Sequence, residues 1–287
     1  VLNRSAWIAL GLTDRVGSKT IRALIQHFGD PHAVFQADTA ELQVVPGVGP
    51  KIAESIHAID LEHIEKSIDQ WRRQGIAALT PDDPAYPARL KRLDDAPPVL
   101  FARGTCPLDR AAAVVGTRVP SPENENIARN LSAALAEQGY SVVSGLAQGI
   151  DTSAHFGALG VQNGRTLAVL GSGVLNIYPQ ENRSLADAIL INNAGALMCE
   201  VAPPLSPSSS RLVARNRIIS GISQAVIVIE TGVDGGAMHA ARRGFEQGRK
   251  IYALDLAASG NRALIEAGAT AINSDFSNLD LLFASDV

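Results

Sequence analysis

The chain has 287 residues, about twice the size of a typical domain, which predicts one large domain or two smaller ones. Hydrophobic residues make up 46% and charged residues 19%, enough apolar material for a sizeable core and incompatible with a disordered chain. A formal charge of −4 excludes a uniformly basic protein held to nucleic acid by bulk charge. Twenty arginines stand against five lysines; codon composition explains such a skew, and so does the forked donor geometry that suits arginine to phosphate.

No apolar run reaches the roughly 18 residues of a membrane span, and no signal-peptide pattern is present, although the chain opens on Val1 rather than Met. Cys106 and Cys199 are too few and too distant for a disulfide scaffold or a thiolate metal site, and no HExxH pattern occurs. The expectation is a reducing, cytoplasmic location with no metal, no cofactor and no membrane partner.

Charge is distributed in blocks. Residues 1–70 carry −3, 71–120 carry +3, 121–200 carry −4, 201–250 carry +4 and the remainder −4. Each positive block contains a motif of interest.

Residues 1–70 read as short helices. Ile21, Leu24, Ile25 and Phe28 recur at helical spacing, as do Ile52, Ile56 and Ile59. A weak repeat relates Val16-Gly17-Ser18-Lys19-Thr20-Ile21 to Val48-Gly49-Pro50-Lys51-Ile52-Ala53, 32 residues later. The second copy is similar to a helix-hairpin-helix turn, in which glycines let backbone amides approach a DNA phosphate. Gly47, Gly49 and Lys51 are its candidate contacts, and a plain helical turn or a protein-contact domain (SAM-like) is the other reading. The first copy has Arg15 where the second has Gly47.

Residues 71–110 form a proline-rich arm, with Pro81, Pro84, Pro87, Pro97 and Pro98 forbidding a long helix. From residue 111 to 287 the rhythm becomes strand–loop–helix. Apolar runs at 111–115, 141–143, 166–170, 196–199, 225–229 and 250–253 alternate poorly, as central strands buried on both faces do. Helical segments near 123–138, 150–163, 181–192, 236–248 and 262–267 separate most of them. The fold class is therefore α/β: a doubly wound, mostly parallel sheet whose ligands bind at the carboxyl ends of the strands.

The loops at those ends are Gly116-Thr117-Arg118, Ser144 to Asp151, Gly171-Ser172-Gly173 and Glu230 to Gly236. Their glycines and helix starts predict a phosphate-binding rim. A dinucleotide fingerprint is absent, because Gly171-Ser172-Gly173 lacks its third glycine and Tyr178-Pro179 interrupts the expected helix. Gly17-Ser18-Lys19-Thr20 lacks the glycine before lysine of a P-loop, and no G-x-S-x-G nucleophile elbow occurs. Arg215-Asn216-Arg217 leads into the buried run at 225–229, which would bring its arginines beside Arg118 as a positive pocket.

In order along the chain, Gly116-Thr117-Arg118, the Ser144–Asp151 loop with Ala154-His155, Tyr178-Pro179 with Asn182, Arg215 through Gly221, and Glu246-Gln247-Gly248-Arg249 resemble the signature segments of the DNA processing protein A (DprA/Smf) family. The resemblance covers nearly the whole chain, the N-terminal helices and proline-rich arm included. It implies an extended Rossmann domain and a small helical domain. It also implies a cytoplasmic, non-hydrolytic single-stranded DNA-binding protein that protects incoming DNA in natural transformation and helps load a RecA-type recombinase as a homodimer. Carried onto this chain, Gly116, Thr117 and Arg118 form the phosphate turn, and the loop with Ser144, Gly145 and Gly149 supplies backbone donors. Asp151 caps or orients its helix, Arg215, Asn216 and Arg217 complete the positive pocket, and Gly171, Ser172 and Gly173 form a neighbouring wall. Two features depart from the family: Asp255–Ser259 replaces a longer Pro-Gly loop, and no winged-helix segment is evident.

Asp151 and His155, i and i+4 on one helix, read as capping and packing rather than a catalytic or metal pair. Glu230 is the residue for any chemistry, but the glutamate that nucleotide-cleaving Rossmann enzymes carry after a G-T is missing. A nucleotide-binding hydrolase and a protein-interaction scaffold remain the alternative readings.

Overall fold

The computed structural model describes residues 2–191, 194–275 and 278. The chain divides into two compact units, 1–103 with 200–203, and 104–199 with 204–287.

The first unit opens with six helices: α1 (Leu2–Leu12), α2 (Ser18–Phe28), α3 (Pro31–Gln36), α4 (Thr39–Gln43), α5 (Pro50–His57) and α6 (Leu61–Arg73). Asp30, Asp38 and Asp60 cap α3, α4 and α6 through their side chains, and Asp38 forms a capping box with Glu41. One core gathers Leu10, Ile21, Leu24, Val34, Leu42, Val48 and Ile56, so the helical spacing read from the sequence marks the inward face. The repeat is structural as well. Gly17 and Gly49 are the N-caps of α2 and α5 with nearly the same extended backbone. Arg15 and Gly47, at matching positions, both take left-handed φ, 64° and 87°.

The proline-rich segment holds regular structure. It carries β1 (Ile76–Leu79), α7 (Ala88–Lys91) and β2 (Leu100–Gly104), with β1 and β2 antiparallel. Prolines confine its helix to one turn, while Asp83 accepts hydrogen bonds from Thr80 and pairs with Arg4.

The second unit continues with β3 (Ala111–Val115), α8 (Pro122–Glu137), β4 (Ser141–Ser144), α9 (Ile150–Leu159), β5 (Arg165–Val169), α10 (Arg183–Leu190) and β6 (Gly195–Cys199). After these come α11 (Ser209–Ala214), α12 (Asn216–Ile222), β7 (Ala225–Val228), α13 (Gly236–Glu246), β8 (Lys250–Leu254), α14 (Ser259–Glu266) and β9 (Thr270–Ile272). The strands are parallel in the order β6-β5-β4-β3-β7-β8-β9. Ala112, Val114, Val142, Ile227 and Tyr252 face α8 and α9, whereas Val226 and Ile251 face Gly244 of α13. Alternate residues of each strand thus serve opposite layers, which is why the runs are apolar throughout. This is a doubly wound, Rossmann-like sheet. Its strand order reverses at β3, which pairs with β4 on one side and β7 on the other, so the loops after β3 and β7 diverge and leave a crevice.

Candidate nucleic-acid interface

The crevice is built from backbone first. After β3, the Thr117 amide donates to the Glu230 carbonyl at 2.7 Å, and the Thr117 carbonyl accepts from Ile150 at 3.2 Å. The turn is thereby fixed between the end of β7 and the start of α9. Gly116 is needed there, because a β-carbon would lie 2.6 Å from Ile150. Gly149 has φ +76°, and its β-carbon would lie 2.5 Å from the Thr117 carbonyl oxygen. With the turn so held, Arg118 projects into solvent.

The loop between β4 and α9 is pinned from beneath by Asp151. One carboxylate oxygen accepts from the Gly145 amide at 3.0 Å and the Ala147 amide at 3.4 Å. It lies 4.0 Å from Nη2 of Arg215. Arg215 is itself buried, donating through Nη1 to the Val169 carbonyl at 2.6 Å and through Nε to that of Leu212 at 3.3 Å. Burial raises the Asp151 pKa, against the pull of Arg215 and the two amides. Burial likewise lowers that of Arg215, with Asp151 opposing and Arg118 adding to the fall. Asn182 completes the frame, donating to the Leu146 carbonyl and the Thr152 hydroxyl, both at 2.9 Å, beside the cis Tyr178-Pro179 bond.

These elements surround a pocket of about 510 Å³. Gly116, Thr117, Arg118, Asp151, Arg215 and Asn216 line it. Gly145 lines a smaller adjoining pocket with Arg118, Tyr178 and Arg215. Ser144, Gly149, Gly171, Ser172, Gly173 and Arg217 are not among the lining residues. The Ser144 hydroxyl donates to the Val114 carbonyl at 2.7 Å. Gly171 gives way to the backbone of Leu212, and the Gly173 amide donates to Leu205. Arg217 lies on α12, where its carbonyl accepts from Gln247 while Arg249 donates to Gly221, so the Glu246–Arg249 segment braces that helix. Two amides expected to serve as donors for a ligand, those of Gly145 and Ala147, point instead at Asp151, because a buried carboxylate must be hydrogen-bonded. Asp151 therefore orients the loop.

The opposite wall comes from the loop after β7 and the start of α13: Thr231, Gly232, Gly235, Gly236, Ala237 and Ala240. Asn261 fixes their approach, accepting from the Thr231 amide at 2.9 Å and donating to the Ile229 and Leu254 carbonyls. The signal for this wall was the glycine run ahead of α13. Glu230 turns its carboxylate to Asn124 at 2.8 Å and is not among the lining residues. His155 is fully buried and bonds Thr166 at 2.7 Å; burial, then Arg215, lower its pKa to about 3. Among the described residues, no group of three His, Cys, Asp or Glu could hold a metal, and no helix is long and apolar enough to cross a membrane.

In the first unit, Ser18 and Arg22 of the first hairpin donate to the Ala96 and Leu93 carbonyls. Gly47 and Gly49 of the second face open space, and Lys51 lines a pocket of about 440 Å³ with Asp14, Arg15 and Glu54.

Residues 77–282 match the family model described as DNA recombination-mediator protein A. The chain belongs to that family. Residues 5–59 match the helix-hairpin-helix motif. Among relatives, the Smf protein of Synechocystis is 35% identical over 94% of this chain and 70% of its own length. The DNA processing protein DprA of Bacillus subtilis is 37% identical over 70% of each chain. The solved structure of Streptococcus pneumoniae DprA superposes with a TM-score of 0.79 at 28% identity, covering 98% of this chain and 96% of that one. A Helicobacter pylori DNA processing protein A, described for its single-stranded DNA binding mode, matches with a TM-score of 0.64 at 26% identity over 73% of this chain and 96% of its own. Family membership thus extends across both the helical and the Rossmann-like parts.

Proposed function

We propose that this protein binds single-stranded DNA through its phosphate backbone at the β3–β7 crevice and works on DNA during transformation and recombination. In this reading it acts in the cytoplasm as a homodimer, protects the strand and helps load a RecA-type recombinase, with no cofactor and no catalytic step of its own.

The observation that carries the reading is the placement of exposed Arg118 over a pocket backed by Arg215 and the start of α13. Cations and helix-start amides together attract phosphate. The only carboxylate among the residues lining this pocket, Asp151, is engaged by two amides and Arg215, which leaves no free general base for hydrolysis. Tyr178, 41% exposed, is the one aromatic on the wall, so backbone contacts outweigh base stacking and sequence preference is weak. The likeness to the Helicobacter pylori single-stranded DNA-binding protein supports the same ligand. The open second hairpin, with Gly47, Gly49 and Lys51, offers a separate backbone contact to DNA.

The test is fluorescent oligonucleotide binding, single-stranded against duplex, across a salt series. Single strands bind more tightly, and affinity falls steeply with salt. A preference for duplex, or binding indifferent to salt, overturns the reading.

A further inference from the structure

The glycines of the pocket divide into two kinds. Gly116 and Gly235 are bare because the protein fills the space: β-carbons there would lie 2.6 Å from Ile150 and 2.3 Å from the Thr231 hydroxyl. Gly232 and Gly236 have no such reason. A β-carbon on Gly236 would meet no atom within 4 Å, and one on Gly232 only the Ser259 hydroxyl at 4.0 Å. Neither is among the residues with positive φ. Both line the pocket, so protein packing and backbone strain leave their bareness unexplained, and a cradle that side chains would fill stays open. Gly236 and Ala237 also begin the eleven-residue α13, whose first amides have no carbonyl partner inside the helix.

Charge and size narrow the occupant. Arg118, Arg215 and Asp151 leave the lining at +1, and a helix N-terminus adds about half a charge. A phosphomonoester carries about −1.5 to −2 near neutral pH, whereas a backbone diester carries a single charge. A volume of about 510 Å³ is in the range of small-molecule sites and far exceeds one phosphate group. Tyr178 and Val213, both substantially exposed, give the wall an apolar portion for the rest of a nucleotide.

We propose that this pocket is a terminal-nucleotide site, which seats the phosphomonoester of a nucleoside 5′-monophosphate against Arg118 and the bare backbone of Gly232, Gly236 and Ala237. The ligand is a free nucleotide or the 5′ end of a DNA strand. This deepens the DNA-binding reading and rests on it.

The experiment uses the full chain and two fluorescent oligonucleotides of one sequence, 5′-phosphorylated and 5′-hydroxyl. Unlabelled deoxynucleoside monophosphate, deoxynucleoside and inorganic phosphate serve as competitors. A tighter hold on the phosphorylated strand, by about tenfold for one or two charge-assisted hydrogen bonds, supports the strand end as ligand. Displacement by the monophosphate, but not by the nucleoside, supports the free nucleotide. Gly236→Ala and Gly236→Val keep the thermal unfolding midpoint at or above that of the parent yet remove both effects. Equal binding of the two strands with no displacement overturns the inference and leaves the DNA reading intact. Inorganic phosphate displacing as well as the nucleotide overturns the nucleoside part. Failure of both strands to bind, with a labelled monophosphate still bound, overturns the DNA reading while keeping the site.

Discussion

The guanidinium of Arg215 occupies the space that a side chain on Gly145 would need. A β-carbon built on Gly145 would lie 1.6 Å from Nη1. The arginine has little room to yield, because Val169, Leu212 and Asp151 hold it from three directions. Gly145 is thus bare for the sake of a charge inside the protein. Gly145→Ala is expected to destabilise the fold by about 3 kcal/mol, through overpacking and displacement of the buried pair. Urea denaturation checks this; an unchanged midpoint would mean that Arg215 swings clear at no cost.

Arg118 and Arg215 share the pocket but separate cleanly in their effects. Arg118 is exposed, so Arg118→Ala leaves stability within about 0.5 kcal/mol. Its cost falls on DNA: single-strand affinity drops, and the slope of log affinity against log salt shrinks by about 0.7 for one lost phosphate contact. Arg215→Ala strands the buried Asp151 carboxylate and costs about 3–5 kcal/mol. Adding Asp151→Asn recovers part of that loss, so the double variant is less unstable than the sum of the singles. Strict additivity would argue against the coupling.

His155 makes stability depend on acidity. Thr166 gives its hydroxyl proton to the Val142 carbonyl at 2.7 Å, so it accepts from Nδ1 of His155, while Nε2 is buried without a partner. With the folded pKa lowered to about 3 from an ordinary 6.5, the unfolded chain takes up the proton first as pH falls. The contribution to stability is complete above the unfolded value and is lost between about 6.5 and 3, at about 1.4 kcal/mol per pH unit. His155→Asn keeps a donor for Thr166 and removes this dependence. Denaturation midpoints of parent and variant, followed from neutral to acid pH, should converge; parallel curves would show that another group titrates.

Arg15 pays for the helical repeat. It holds φ 64° where its counterpart Gly47 holds 87°. A non-glycine residue in that region costs about 1 kcal/mol, so Arg15→Gly is expected to raise the stability of the helical unit by several tenths to 1 kcal/mol. A lower melting midpoint in the variant would show that the Arg15 side chain contributes more than its backbone costs.

Much of the Rossmann-like unit was legible because its central strands are largely buried on both faces, which leaves short apolar runs such as 111–115 and 251–254. Three strands were not. Thr270–Ile272 spans only three residues and has one exposed end, too short for a pattern. Ile76–Leu79 and Leu100–Gly104 sit among prolines that dominate the local signal, and they pair with each other across more than twenty residues.

Local pattern and backbone freedom are enough to set the alternation of strand and helix, the helical N-terminal repeat and which loops carry glycine and arginine. What each glycine and arginine is for follows from long-range packing. Arg118, Arg215 and Arg217 look alike as neighbours of glycine loops, yet one is exposed over the pocket, one is buried behind it and one lies outside its wall. Gly145 yields to a guanidinium, whereas Gly232 and Gly236 yield to empty space. Those differences arise from contacts between residues far apart in the chain, and no local pattern encodes them.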